Sequence, residues 1–156
     1  MVDEFITNVL FLLDFNGLVV EADPDTPVES LQEISFYALL ALINFTLDNA
    51  ASQDFVAKHG AVNAILQQLK SGSYEPKKTA CYCLNSVISN NDLNKSECIQ
   101  YNGVPILCEL INDEDDDALS EKAYECLENL GSEVMVKLLN KVHQVCELRK
   151  PVMWRG

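Results

Sequence analysis

The sequence predicts an all-α fold, a right-handed α-solenoid in which small helical units stack on one another. Two patterns predict it. Apolar residues recur at spacings of three and four along most of the 156 residues, which is typical of amphipathic helices. Blocks of 42 or 43 residues also resemble one another, and a block of that size cannot bury its own apolar side. Stacking supplies the missing partner and creates one continuous core.

The first unit, residues 1–47, is atypical. Its first predicted helix covers residues 3–15 and has a continuous apolar side. After a turn-rich linker, the pair Thr26-Pro27 provides a favourable start for a long apolar helix at 28–47. The apolar side of the first helix consists of Phe5, Val9, Leu12 and Leu13.

Two regular units follow, at residues 51–89 and 92–131, and each contains a short, a medium and a long helix. Gly60 and Gly103 follow the short helices. We expect both glycines at sharp turns that need a positive φ and no Cβ atom. The six helices are predicted at 51–59, 61–71, 75–89, 93–101, 104–112 and 118–131.

The predicted domain covers residues 1–148, with a capping helix at 132–148 and a tail at 149–156. Its ends match the repeat poorly. The chain is therefore either a short protein of about three units or one piece of a longer solenoid. The first helix has more apolar surface than one neighbour can bury, so it either packs deep over the first unit or offers an apolar patch to a partner.

Three pairs of segments carry the repeat. Residues 54–60 align with 97–103 at an offset of 43, residues 63–69 with 105–111 at 42, and residues 80–84 with 123–127 at 43. This alignment places Gly60 opposite Gly103. A further segment, 38–42, precedes residues 80–84 by 42 positions. The long helices of all three units are therefore expected to be equivalent.

The segments Gly60-Ala61-Val62-Asn63-Ala64-Ile65-Leu66 and Gly103-Val104-Pro105-Ile106-Leu107 resemble the armadillo consensus junction between the first and second helices. Residues 38–45 resemble that family's third-helix signature. Over about residues 30–131, the chain is thus similar to armadillo-repeat proteins. The resemblance implies three-helix repeats whose third helices line an inner, concave surface.

In that family, an asparagine on each third helix pairs with the backbone of a bound peptide, and a tryptophan one turn earlier forms a wall. Asparagine suits this role because its amide both donates and accepts hydrogen bonds. The resemblance implies that the asparagine positions are those of Asn44, Ser86 and Asn129, with Asn85 one residue out of place. It places Leu40, Tyr82 and Glu125 at the tryptophan positions, and Tyr82 is the expected aromatic anchor.

The chain is strongly acidic, with 24 acidic and 11 basic residues and a formal net charge of −13. The negative field repels phosphates and anionic headgroups, so we expect no nucleic-acid binding and no membrane insertion. It favours a basic protein segment as the partner. Glu121, Glu125 and Glu128 share one helical face and would offer carboxylates to Lys or Arg. The alternative is that this charge only keeps the domain soluble, with a solvated face beside the acidic run at 113–117.

The sequence contains no motif that points to catalysis, a cofactor or a metal: it lacks GxSxG, GxxxxGK[ST] and HExxH. None of its six cysteines forms a CxxC pair, and Cys98 with His59 is the nucleophile and base that could be imagined together. We therefore expect reduced, buried thiols and a cytoplasmic or nuclear location. The predicted function is a protein-interaction scaffold or adaptor. The alternative is a structural module that forms a homodimer through its first helix or an open solenoid end.

Overall fold

The structure, a computed structural model, describes residues 1–14, 23–71, 74–111 and 117–131. Every regular element within these ranges is an α-helix. The helices are α1 (Val2–Phe11), α2 (Val28–Thr46), α3 (Ala50–Lys58), α4 (Ala61–Ser71), α5 (Tyr74–Ile88), α6 (Asp92–Gln100), α7 (Gly103–Ile111) and α8 (Asp117–Leu130).

Each helix predicted within the described ranges is present, and most bounds agree to within one residue. The first helix is the exception, because α1 ends at Phe11 rather than at residue 15. The amide of Leu13 bonds to the Leu10 carbonyl at 3.1 Å, a tighter i, i−3 pattern that closes the last turn. The predicted capping helix at 132–148, the tail at 149–156 and most of the acidic run at 113–117 lie outside the described residues.

The short and medium helices repeat with one constant spacing. α3 and α6 begin at residues 50 and 92, and α4 and α7 begin at 61 and 103. The corners that precede α3 and α6 match in backbone conformation: φ is 52° at Asp48 and 54° at Asn90. The following residues, Asn49 and Asn91, both have a φ near −130° and a ψ of 94°. The structural register is therefore 42 residues through the short and medium helices.

This register corrects the expected equivalence of the two glycines. Gly60, with φ at 88°, is opposite Asn102, with φ at 60°, and not opposite Gly103. The prediction of a positive φ at Gly103 was wrong, since that residue is the buried first residue of α7. Its lack of a Cβ is nevertheless required, because a Cβ there would overlap Cys98 Sγ and lie 2.7 Å from the Cys98 carbonyl oxygen.

Equivalent helices of successive units pack against each other. The long helix α5 lies between α2 and α8, α4 packs against α7, and α3 packs against α6. The central position of α5 explains why most of its apolar residues are fully buried. The α5 residues with no exposed surface are Ala80, Cys81, Cys83, Leu84, Val87 and Ile88. The core therefore runs through the units as one continuous layer.

The first helix packs over the first unit through one stripe and leaves other apolar residues in solvent. Ile6, Val9 and Leu13 are buried, whereas Phe5, which was expected on the packed side, is 52% exposed. The Leu13 carbonyl accepts a hydrogen bond from the Gln68 side chain, which ties the end of α1 to α4. Self-association through this helix stays a prediction.

None of the helices in the described part of the chain combines the length and the apolar character needed to cross a membrane.

Candidate binding groove between the long helices

A groove of about 340 Å³ opens between α2, α5 and α8. It lies towards the C-terminal ends of these helices, where the corner after α2 and the end of α5 contribute polar side chains. Its lining residues are Ile43, Leu47, Asp48, Tyr82, Asn85, Ser86, Ser89, Glu125 and Asn129. We refer to this set as the groove.

Two asparagine amides meet across the floor of the groove. Asn129 Nδ2 donates to Asn85 Oδ1 at 3.3 Å, and both side chains are half-buried. The bond joins α8 to α5 because equivalent faces of the two helices pack together. A single amide–amide bond leaves the Asn85 amino group and the Asn129 carbonyl oxygen able to bond to a ligand. A peptide unit offers the complementary pair of groups.

A three-residue contact lies at one side of the groove. Lys122 Nζ is 2.7 Å from Glu125 Oε1 and 4.9 Å from the centroid of the Tyr82 ring. The Lys122 side chain is 20% exposed and that of Glu125 is 40% exposed. The hydrogen bond to Glu125 raises the pKa of Lys122, and a hydrogen bond to Tyr82 raises it further. Lys122 therefore stays protonated and lies between the two residues that were expected to bind a partner.

Ser86 is directed into the protein rather than towards a ligand. It is buried, and its hydroxyl shares a 2.8 Å hydrogen bond with the Thr46 hydroxyl and donates to the Cys83 carbonyl at 2.8 Å. Its own carbonyl accepts from Gln53 Nε2 at 2.8 Å. These contacts connect α2, α3 and α5, so the amide that enters the groove at this position is that of Asn85, one residue earlier.

The structure brings half of the predicted site residues to the groove. Tyr82, Ser86, Glu125 and Asn129 line it. The remaining four lie on the same helices but outside the lining: Leu40 is half-buried, and the other three are exposed, namely Asn44, Glu121 and Glu128. Binding by any of these residues stays a prediction.

Some groove residues were missed by sequence reasoning. Asp48 and Ser89 lie beyond the helix ends at the corners, where the armadillo comparison assigns no role. Lys122 lies outside the groove lining but contacts Tyr82 and Glu125. It could have been found from the sequence, because a lysine three residues before a glutamate on a helix places the two charges side by side. Ile43 on α2 and Leu47, the residue that follows α2, form an apolar wall. The exposure of these two side chains depends on the separation between the ends of α2 and α5. No local sequence pattern indicates that separation.

The structure does not bring Cys98 and His59 together as a nucleophile and a base. His59 Nδ1 lies 2.8 Å from the Phe55 carbonyl, and its Nε2 lies 3.2 Å from Asp3. Cys98 is buried, and burial raises its pKa to about 12. Burial likewise raises the pKa of Cys83. Neutral thiols of this kind are poor nucleophiles at physiological pH.

No protein-family model matches the sequence. Among curated proteins, the chain is similar to the Hsp70 nucleotide exchange factor FES1 of Gibberella zeae, with 29% identity over 80 residues. The match covers 50% of this chain and 38% of that protein, so the chain spans well under half of the relative.

Among solved structures, the chain is similar to the crystal structure of an engineered protein, with a TM-score of 0.66 and 20% identity. The match covers 85% of this chain and 50% of the engineered chain. At this level of identity, the likeness concerns the fold alone.

Proposed function

We propose that the protein is a non-catalytic scaffold or adaptor, folded as a right-handed armadillo-type solenoid, which holds an extended segment of a partner protein in the groove. The observation that carries this proposal is the pair of half-buried amides, Asn85 and Asn129, on the groove floor. A peptide backbone can bond to their remaining donor and acceptor whatever its sequence.

The size of the groove supports a chain segment as the ligand. Its volume of about 340 Å³ is at the lower end of the range for small-molecule sites, and its walls combine apolar residues with scattered polar groups. Ile43 and Leu47 offer apolar contact on one side, and the Tyr82 ring offers an aromatic face on the other. A few residues of an extended peptide would fill such a space.

Charge supports a basic segment. Asp48 and Glu125 lie on opposite walls of the groove, and the whole chain carries a net charge of −13. The long-range field speeds the encounter with a cationic partner, and the two carboxylates fix where its charges lie. Buried thiols on α5, α6 and α8 fit a reducing compartment, and we accordingly place the protein in the cytoplasm or nucleus.

Fluorescence anisotropy with three labelled peptides of equal length, basic, neutral and acidic, tests the proposal. We expect wild-type protein to bind the basic peptide best, and Asn85→Ala/Asn129→Ala to weaken that binding about tenfold, since two hydrogen bonds are lost. Asn8→Ala/Gln100→Ala removes two exposed amides elsewhere and is the matched control. Equal affinities for the two double variants would exclude the groove as the binding site.

The 80-residue likeness to an Hsp70 nucleotide exchange factor favours a more specific candidate: the partner is an Hsp70-type chaperone, and binding releases its nucleotide. Release of a fluorescent ADP analogue from Hsp70, followed with and without this protein, measures that activity. We expect release to accelerate in proportion to protein concentration and to slow again with the groove double variant. An unchanged release rate removes this candidate and leaves the general adaptor proposal standing.

A further inference from the structure

Lys122 occupies a position in which a ligand cation would be expected to bind. Its ammonium group contacts the Glu125 carboxylate at 2.7 Å and lies 4.9 Å from the centre of the Tyr82 ring. A carboxylate beside an aromatic face is a favourable environment for a Lys or Arg head group. Both of these partners line the groove, whereas Lys122 reaches them from the neighbouring turn of α8.

The arrangement differs from an ordinary surface ion pair. Lys122 and Glu125 are three residues apart on one helix, but Tyr82 belongs to α5, so the ammonium group bridges two units. Only 20% of the Lys122 side chain is exposed, compared with 40% for Glu125. The carboxylate thus keeps an open side towards the groove while its inner side is occupied.

We propose that Lys122 is an internal occupant of a cation site formed by Tyr82 and Glu125, and that it lowers the affinity of the groove for basic segments by competing with their side chains. The inference rests on the proposed function, because it concerns the same groove. A ligand lysine or arginine binds at this site only by displacing Lys122, which then turns outward to solvent.

A basic side chain of the ligand can displace Lys122 from this site. A single ion pair with a partly exposed partner is weak, so displacing Lys122 requires little free energy. Arginine is the stronger competitor, because its planar guanidinium binds a carboxylate in bidentate fashion and stacks on an aromatic ring. Lys122 therefore weakens the binding of any basic side chain at this position, and arginine binds there more tightly than lysine.

Titration of the full chain with fluorescein-labelled hexalysine tests the inference. We expect Lys122→Met, which keeps the side-chain length and removes the charge, to bind this probe about fivefold more tightly than wild type. Lys58→Met is the matched control, since it removes the same charge from an exposed position on α3, and we expect less than a twofold change. Equal tightening in the two variants, or weaker binding by Lys122→Met, overturns the inference. Circular dichroism confirms that each variant is folded.

Two further variants separate this inference from the proposed function. Adding Glu125→Gln to Lys122→Met should abolish the gain, because the carboxylate of the cation site is lost; a retained gain counts against the inference. If Lys122→Met tightens binding but adding Asn85→Ala/Asn129→Ala changes nothing, the cation site stands and peptide binding along the groove floor fails. If the amide variant weakens wild-type binding while Lys122→Met has no effect, the proposed function stands and the inference falls.

Discussion

The two helical units α3–α5 and α6–α8 share one backbone plan but use it in different surroundings. Both begin at an asparagine with the same backbone conformation, and in both its side chain caps the following helix. Asn49 is exposed, and its side chain accepts from the Ser52 amide at 3.0 Å. Asn91 is buried, accepts from the Asn94 amide at 3.1 Å and also donates to Asp54 at 2.8 Å.

The same local motif thus caps a helix at both corners, and at Asn91 it also connects the two units. Asn94 strengthens the second role, because its side chain donates to the Val87 carbonyl at 2.9 Å and to the Gln53 carbonyl at 3.2 Å. The contribution of a repeat position to stability therefore depends on the residues that surround it. We therefore expect equivalent substitutions in the two units to differ in effect.

The two units should differ most in how much stability they lose on substitution at the turn after the short helix. Gly103→Ala should destabilise the protein by about 3 kcal/mol, because its new methyl group meets Cys98 Sγ and the Cys98 carbonyl with no free space. Urea unfolding followed by circular dichroism measures this change. Adding Cys98→Ala removes one of the two overlaps and should restore part of the loss; a Gly103→Ala protein as stable as wild type would contradict the packing described.

The two corner asparagines provide the next comparison. Asn91→Ala should cost about 2 kcal/mol, since both a helix cap and a part-buried hydrogen bond to Asp54 are lost. Asn49→Ala should cost about 1 kcal/mol, the usual effect of losing a cap alone. Measuring the free energy of unfolding of both variants under identical conditions tests the ratio of the two losses. Equal losses would mean that the contact between units contributes nothing.

Gly60→Ala should have a smaller effect than Gly103→Ala, because no atom lies within 4 Å of the added Cβ and the cost is only that of a positive φ. We expect a loss of about 1 kcal/mol. Gly60→Asn is the matched variant, since asparagine already occupies the equivalent position 102 at a φ of 60°. Its stability should lie closer to that of wild type, and a larger loss for asparagine than for alanine would contradict the register of 42.

The groove should be the least sensitive region for stability. Asn129→Ala removes one 3.3 Å bond between half-buried amides, and we expect less than about 0.5 kcal/mol of destabilisation. A loss above that of Asn49→Ala would identify the amide pair as a structural contact between α5 and α8. A small loss together with weaker peptide binding is the pattern expected of a binding residue.

Much of the fold follows from sequence pattern, whereas the composition of the groove follows only in part. Helix positions within the described residues were predictable because apolar spacing and glycine, proline and asparagine breaks act locally. Tyr82 and Asn129 were reached through the family resemblance. Ser86 was assigned to the binding face, yet its hydroxyl faces Thr46, because the orientation of α5 is set by packing on both of its sides.

The sequence by itself determined helices α2 to α8 to within one residue, the repeat of about 42 residues and the acidic character of the chain, because each depends on residue type and spacing alone. Only the tertiary structure decided that Gly103 is needed for space rather than for its φ. It also decided that the Ser86 hydroxyl bonds to Thr46, whereas the Asn85 amide meets Asn129 in the groove. It also decided that Lys122 lies between Tyr82 and Glu125. Each of these depends on distances between residues of different helices, which a one-residue rotation or shift changes while the local pattern stays the same.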